Sequence, residues 1–172
     1  FLIEGFFLFS YHGQFNGGYI AYKRLTPILK YSVNFNMSIE RKSPTIIPGM
    51  RYKDAPSAIK WLCKAFGFEE HLIVPAENDM IAHAQLTFGN GMIMVGSLRE
   101  DEFIKYQKPP SGLKGYNSQS PYIIVDDIDT HYNCAVEAGA EIIVPLKEQD
   151  YGGKLYSCKD PKGYLWHFGS YN

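Results

Sequence analysis

The stretch Asp160-Pro161-Lys162-Gly163-Tyr164-Leu165-Trp166-His167-Phe168-Gly169, close to the C-terminus, decides the fold. Asp-Pro-Lys-Gly predicts a tight turn, because proline presets φ at the second position of a turn and glycine accepts a positive φ. The residues that follow alternate as in a β-strand, so that Leu165 and His167 share one face and three aromatic residues share the other. The aromatic face predicts core packing. The opposite face makes His167 the first candidate functional residue.

The same order of elements occurs twice between residues 45 and 172, which predicts a duplicated βαβββ unit. The predicted elements, in chain order, are a strand at 46–52, a helix between Asp54 and Gly67, strands near 69–75, 81–88 and 92–97, a linker or lid at 99–117, a strand at 120–125, a helix between Asp127 or Asp129 and Gly139, and strands near 141–146, 153–158 and 164–169. We therefore predict an α+β domain over 45–172, with module 1 at about 45–98 and module 2 at about 118–172. Neither unit can bury both faces of its sheet alone. The two modules should therefore pair into a curved mixed sheet around a concave cavity, with the helices on the convex side.

Residues 1–36 have no clean helical or strand period, and the polar residues from Met37 onward are typical of the lead-in to a first strand. Two explanations stay open. In the first, which we favour, Met37 is the natural start and residues 1–36 are upstream sequence. In the second, residues 1–36 are an N-terminal extension that docks its aromatic residues on the domain.

Composition excludes several classes of protein. The chain has 172 residues and a formal net charge of -1, which gives no electrostatic footprint for nucleic acid or an anionic membrane. No segment is long and apolar enough to predict a membrane span. Cys63, Cys134 and Cys158 fit no zinc spacing and no CxxC pair, so the sequence predicts a reducing, cytoplasmic location.

Four stretches resemble the vicinal oxygen chelate superfamily, the group of glyoxalases, bleomycin-resistance proteins and extradiol dioxygenases. These are Lys53–Ala55 and Val125–Asp127 at the two helix starts, Gln149–Gly152, and the turn and strand of 160–169. The resemblance covers residues 45–172 and implies two paired βαβββ modules. It also implies a homodimer, because this family commonly builds its cups across a dimer.

The resemblance further implies four inward positions for the ligands of a divalent metal ion, one on the first and one on the last strand of each module. In this chain they fall at Ile47, Val95, Ser120 and His167. Only His167 is a strong ligand, so we predict no metal and no cofactor. A metal pair of His83 and His167 outside the family pattern is not favoured.

Alternation along the strands places a mostly apolar set with a few polar groups on the concave side, a composition typical of a small-molecule pocket. The predicted ligand-binding residues are Arg51, His83, Gln85, Tyr122, Ile124, Leu165 and His167. Arg51 can pair with an acidic ligand group. His167 is also the one candidate general base, although the sequence shows no group that orients it. We expect His12, His71 and His131 at the surface.

The leading hypothesis is metal-independent binding of a small, partly hydrophobic or aromatic molecule between the modules. The alternative is a divalent-metal-dependent lyase, isomerase or dioxygenase of the same superfamily, which the residues at Ile47, Val95 and Ser120 disfavour. A partner-binding module that uses the aromatic residues of 1–36 is a third hypothesis.

Overall fold

The computed structural model describes residues 44–150 and 152–171, and it shows the two βαβββ modules that the sequence predicts. Module 1 consists of strands β1 (Gly49–Tyr52), β2 (Glu69–Pro75), β3 (Ile81–Phe88) and β4 (Gly91–Ser97), with helix α1 (Ala55–Phe66) after β1. Module 2 consists of strands β5 (Tyr122–Ile124), β6 (Glu141–Glu148), β7 (Lys154–Lys159) and β8 (Leu165–Gly169), with helix α2 (Ile128–Glu137) after β5. Short 3₁₀ turns at Glu102–Lys105 and Pro110–Leu113 lie in the connection between the modules. The proposed extension at 1–36 lies outside the described residues.

Each module forms its own four-stranded mixed sheet, in the orders β1-β4-β3-β2 and β5-β8-β7-β6. The first strand runs parallel to the last one, and the other pairs are antiparallel. The pairs Gly49–Met94 and Tyr122–His167 each open the parallel ladder of their sheet, so they occupy corresponding places in the two modules. The predicted α+β class and the helices on one side of the sheets are confirmed. In the part of the chain that the structure describes, no strand pairing joins the two sheets.

The helix starts follow the sequence signals. The carboxylates of Asp54 and Asp127 accept hydrogen bonds from the backbone N–H groups of Ser57 and Thr130, both at 3.1 Å. These bonds satisfy N–H groups that have no partner inside the helix. Gly67 ends α1 in the left-handed conformation at φ 75°, which glycine adopts without steric penalty.

The core lies between the sheets and around the two helices, which pack against each other. The aromatic face of β8 is buried as predicted: the ring of Phe66 at the end of α1 lies 5.4 Å from Trp166 and 4.7 Å from Phe168. On the helix side, the indole N–H of Trp61 donates to the carbonyl of Ala138 at 2.8 Å. Module 1 therefore packs directly on the last strand of module 2.

The prediction that His131 lies at the surface was wrong. Its Nδ1 lies 2.7 Å from the Tyr156 hydroxyl, its Nε2 lies 3.0 Å from the Phe66 carbonyl oxygen, and its ring stacks on Phe66. Burial lowers the pKa of His131, although the bond to Phe66 acts in the opposite direction. The burial of His131 could have been predicted from its helical spacing to the buried residues Ile128 and Ala135, because this spacing places all three on one face of α2.

The Asp-Pro-Lys-Gly turn is built around a buried carboxylate. Asp160 Oδ1 accepts from the backbone N–H groups of Lys162 and Tyr164 at 2.9 and 3.0 Å. Its Oδ2 accepts from the Tyr52 hydroxyl at 2.7 Å and from the Trp166 indole at 3.4 Å. Burial raises the pKa of Asp160, and these hydrogen bonds partly offset the shift. The turn is thereby fixed internally and joined to β1 of the other module.

No helix among residues 44–150 and 152–171 has the length and apolar character needed to cross a membrane.

Candidate functional site

The sequence-predicted site residues lie on two different sheets, in each case on the face opposite the helices. Arg51 stands between the buried residues Met50 and Tyr52, and His83 and Gln85 flank the buried Ala84. On the second sheet His167 stands between the buried Trp166 and Phe168, with Tyr122 paired to it across the β5–β8 ladder. Leu165 and Ile124 lie on the same strands, β8 and β5. A single chain therefore gathers these residues into two groups rather than one.

Arg51 is engaged by the connection between the modules. Its guanidinium donates to the Ser97 carbonyl at 3.1 Å and forms an ion pair with Asp101 at 3.0 Å. The same Asp101 oxygen accepts from Arg99 at 3.2 Å, and the Phe103 ring lies 5.8 Å from the guanidinium carbon. An acidic ligand group that binds Arg51 would therefore compete with Asp101.

The pKa of Asp101 reports the same contacts. Partial desolvation acts to raise it, but hydrogen bonds from Arg99 and the Phe103 N–H, together with the charges of Arg51 and Arg99, hold it below its ordinary value. Asp101 is consequently a carboxylate at neutral pH, and the ion pair with Arg51 holds the connecting segment against the first sheet.

A first cavity, of about 190 Å³, lies over the open face of the module 1 sheet. Its lining includes Arg51, His83 and Gly96 of the sheet, together with Phe103 and Gln107 of the connecting segment. Gln85 does not line this cavity.

A second cavity, of about 180 Å³, lies where the two modules and the connecting segment meet, and we call it the junction cavity. It is lined by Pro48, Gly49, Met50, Arg51, Gln107, Lys108, Pro110, Leu113, Tyr116, Asn117, Ser118, Gln119, Ser120, Pro121 and Tyr164. The lining contains two cationic side chains and no carboxylate. Most of these residues were not predicted from the sequence, because they lie in loops whose course does not follow from strand alternation.

His167 is held between two serine hydroxyls. Ser157 Oγ lies 2.7 Å from Nδ1, and Ser120 Oγ lies 2.8 Å from Nε2. Ser157 pairs with His167 across the β7–β8 ladder, and Ser120 stands two residues before Tyr122, the partner of His167 in β5. Burial lowers the pKa of His167, so the ring is neutral at neutral pH. The expectation that no group orients His167 was wrong; the ring is oriented from both sides, by residues whose roles depend on strand register.

The four family positions do not fit a divalent metal ion. Val95 was misplaced in the sequence analysis: it is 1% exposed, within the core, and Met94 is the residue that corresponds to His167. The set becomes Ile47, Met94, Ser120 and His167, which contains one strong ligand for such an ion. Within the described ranges, no three His, Cys, Asp or Glu side chains converge in a way that would hold a metal.

The hydroxyl end of the Tyr122 ring lies against β8 at Gly169, where that strand has no side chain. A Cβ atom on Gly169 would collide with the hydroxyl and ring carbons of Tyr122. The ring of Tyr171 lies 6.2 Å away. Tyr122 is 41% exposed and Ile124 is 58% exposed.

Comparisons with known proteins agree with this architecture. The family model described as the glyoxalase/bleomycin resistance protein/dioxygenase superfamily matches residues 46–168. The uncharacterized protein Mb0911c of Mycobacterium bovis is 28% identical over 126 residues, which is 73% of this chain and 82% of that protein. The crystal structure of TioX from Micromonospora sp. ML1 is similar with a TM-score of 0.61 and 30% identity, covering 74% of this chain and 98% of TioX.

A glyoxalase/bleomycin resistance protein/dioxygenase family enzyme from Burkholderia phytofirmans PsJN shares the fold, with a TM-score of 0.52 and 17% identity over 72% of this chain and 95% of that one. The vicinal oxygen chelate resemblance is thus confirmed at the level of both sequence and fold. The chain belongs to the glyoxalase/bleomycin resistance protein/dioxygenase superfamily.

Proposed function

We propose that this protein binds a small, partly hydrophobic or aromatic molecule at the junction cavity, without the metal ligands of its family. The observation that carries the proposal is the lining of that cavity by both modules and by the connecting segment. Its apolar walls include Met50, Leu113 and Pro121, and the remaining lining is supplied largely by amide, hydroxyl and cationic side chains. Ligand pockets combine apolar walls with polar groups that fix the orientation of the ligand, and both kinds of group are present here.

A homodimer is part of the proposal. Ligand pockets usually measure about 300–1,000 Å³, so the junction cavity of about 180 Å³ encloses only a small molecule or part of a larger one. The open faces that carry His83 and His167 lie on separate sheets, and a second copy that covered them would enlarge the enclosed volume. Light scattering on the purified full chain tests this: a monomer at all concentrations up to those used for binding would refute the dimer.

A location in the cytoplasm also remains our proposal. It is supported by the described cysteines, Cys63, Cys134 and Cys158, which are all free thiols. Burial raises the pKa of Cys158 to about 12, so this thiol stays protonated and unreactive at neutral pH.

The second candidate function is a divalent-metal-dependent enzyme, and family membership is what favours it. It predicts close to one equivalent of metal per chain after incubation with Mn²⁺, Fe²⁺, Ni²⁺ or Zn²⁺, lost in His167→Ala. The binding proposal predicts less than about a tenth of an equivalent with every ion, because one histidine does not retain such an ion through dialysis. Elemental analysis of protein purified without an affinity-tag histidine run distinguishes the two.

The binding proposal itself is tested by thermal-shift screening of small aromatic ketones, amides and acids, followed by calorimetric titration. Leu113→Arg places a charge in the cavity wall and should abolish binding of any compound found. Val136→Arg on α2 is the matched control, because Val136 is 45% exposed, Leu113 is 39% exposed, and Val136 lies outside the cavity lining. Equal binding by both variants would show that the compounds bind elsewhere, and the proposal would fail.

A further inference from the structure

The two serines that hold His167 constrain which of its nitrogens carries the hydrogen. A neutral imidazole has one N–H donor and one bare nitrogen acceptor. Both nitrogens of His167 are within hydrogen-bond distance of a hydroxyl, Nδ1 of Ser157 and Nε2 of Ser120. One serine must therefore donate to the ring and the other must accept from it. Which serine donates and which accepts is assigned from the other groups around each hydroxyl.

Ser157 is the serine that has to donate. It is 3% exposed, and its hydroxyl has no other hydrogen-bond partner in the described part of the chain than His167 Nδ1. If Nδ1 carried the hydrogen, the hydroxyl hydrogen of Ser157 would be buried without an acceptor, which is unfavourable because the group has given up its hydrogen bonds to water. Donation from Ser157 to a bare Nδ1 leaves no group unsatisfied.

The hydrogen of His167 then sits on Nε2 and is donated to Ser120 Oγ at 2.8 Å. Ser120 Oγ accepts this bond, so its own hydrogen is directed elsewhere. Ser120 lines the junction cavity, whereas Ser157 and His167 are not part of that lining. Successive hydrogen bonds in one direction polarise one another, which strengthens the donor at the end of the chain.

We propose that Ser157 fixes His167 as the Nε2–H tautomer, and that Ser120 thereby presents a hydroxyl hydrogen to a hydrogen-bond acceptor, such as a carbonyl oxygen, of the ligand in the junction cavity. This inference rests on the proposed function for its ligand and on the ring geometry for its tautomer. It makes Ser120 a residue that determines specificity and Ser157 a positioning residue that acts through His167.

The Nε2–H tautomer also excludes a role for Ser120 as a nucleophile activated by His167, which the short distance between the two side chains would otherwise suggest. A serine nucleophile needs a neighbouring base whose near nitrogen is free to take its proton. Here the near nitrogen, Nε2, already carries the hydrogen. We therefore expect no covalent labelling of Ser120 by a fluorophosphonate probe, measured by mass spectrometry of the intact protein. Stoichiometric labelling at Ser120 would overturn the tautomer assignment.

The tautomer can be measured without any ligand, by long-range ¹H–¹⁵N correlation of the His167 ring in the full-length protein at pH 7.5. We expect the Nε2–H pattern in the parent protein and in Ser118→Ala, the matched control, because Ser118 lines the cavity but has no bond to His167. In Ser157→Ala we expect a mixture of tautomers. An Nδ1–H pattern in the parent protein would refute the inference.

The ligand arm uses acetophenone and ethylbenzene, which have similar shapes but differ in the carbonyl acceptor. We expect acetophenone to bind about fivefold more tightly, the difference that one neutral hydrogen bond supplies, and to lose this preference in Ser120→Ala but keep it in Ser118→Ala. Binding of both probes without preference would refute the inference and leave the proposed function intact. If neither probe and no compound of the aromatic screen binds, the proposed function is refuted, and with it the ligand role of Ser120. The tautomer of His167 is decided separately, by the NMR measurement.

Discussion

Removing the hydroxyl of Tyr52 should destabilise the protein more than any other single change from tyrosine to phenylalanine among the residues described here. Tyr52 is fully buried, and its hydroxyl donates to Asp160 Oδ2 at 2.7 Å. In Tyr52→Phe that oxygen keeps only the 3.4 Å bond from the Trp166 indole. The change breaks a contact between β1 of module 1 and the turn that precedes β8 of module 2.

The magnitude follows from the charge of the acceptor. A hydrogen bond to a charged group contributes about 1.5–3 kcal/mol to stability, against about 0.5–1.5 kcal/mol for a neutral one. Tyr52→Phe should therefore lower the free energy of unfolding by about 2 kcal/mol at pH 7.5. Tyr164→Phe, whose hydroxyl donates to the Arg51 carbonyl at 2.6 Å, should lower it by about 1 kcal/mol. The exposed Tyr106 provides the control, Tyr106→Phe, with no expected change.

The assay is urea unfolding followed by tryptophan fluorescence at one fixed protein concentration, since a dimer would make stability depend on concentration. With a urea dependence of about 2 kcal/mol per molar, the midpoint of Tyr52→Phe should fall by roughly 1 M.

The pH dependence has a defined sign. Burial holds the pKa of Asp160 above its ordinary value, and loss of the Tyr52 donor raises it further. The loss of unfolding free energy in Tyr52→Phe therefore depends on the charged form of Asp160. It should become smaller as the pH falls, because Asp160 is then protonated in both the parent protein and the variant. A midpoint equal to that of Tyr106→Phe, or a defect that grows on acidification, would refute the reasoning.

Two further changes test the core and a turn. Burial lowers the pKa of His131 from 6.5, so the unfolded chain binds more protons at slightly acidic pH and stability should fall as the pH drops below about 6.5. His131→Gln should reduce that dependence in urea titrations between pH 7.5 and 5.5, and an unchanged dependence would refute the role of His131. Gly153 and Gly139 both have positive φ, 73° and 83°, but only a Cβ on Gly153 would collide with the backbone carbonyl of Ser170. Gly139→Ala should lower the free energy of unfolding by about 1–2 kcal/mol, the cost of the left-handed conformation, and Gly153→Ala should lower it clearly further. Melting temperatures measured under one condition compare the two variants, and equal losses would contradict the steric argument.

Local sequence rules predicted the elements because the signals lie within a few residues of each other. Asp54 caps α1, Gly67 ends it, and the alternation after Gly163 predicts the buried face of β8. The shortened first strands, Gly49–Tyr52 and Tyr122–Ile124, differ from prediction because pairing to the last strand, rather than residue preference, decides where they begin. Element positions therefore followed from sequence to within a few residues.

The site was less predictable, because its contacts depend on register between distant strands. The partners of His167, Ser157 and Ser120, are 10 and 47 residues away in sequence, and no local pattern relates them to it. The one-residue error that selected Val95 instead of Met94 has the same origin, since a shift of one residue exchanges the two faces of a strand. The engagement of Arg51 by Asp101 depended on the fold of the connecting segment, which sequence alone did not define.

The two modules differ in one respect that bears on the ligand. In module 2 the open face carries the hydrogen-bonded row of Ser120, His167 and Ser157. In module 1 the residue that corresponds to His167 is Met94, and the residue paired with Met94 across the β3–β4 ladder is Gln85. Fold duplication has thus left one open sheet face with a hydrogen-bonded polar row and the other with an apolar thioether at the equivalent place. If a second copy brings the two kinds of face together, the cup has one wall that donates a hydrogen bond from Ser120 and one that offers apolar contact from Met94 beside the amide of Gln85. That combination favours a partly hydrophobic molecule with an acceptor group that faces Ser120. A second polar group of the ligand would have to reach Gln85, the neighbour of Met94, because burial against the thioether alone would leave it without a partner.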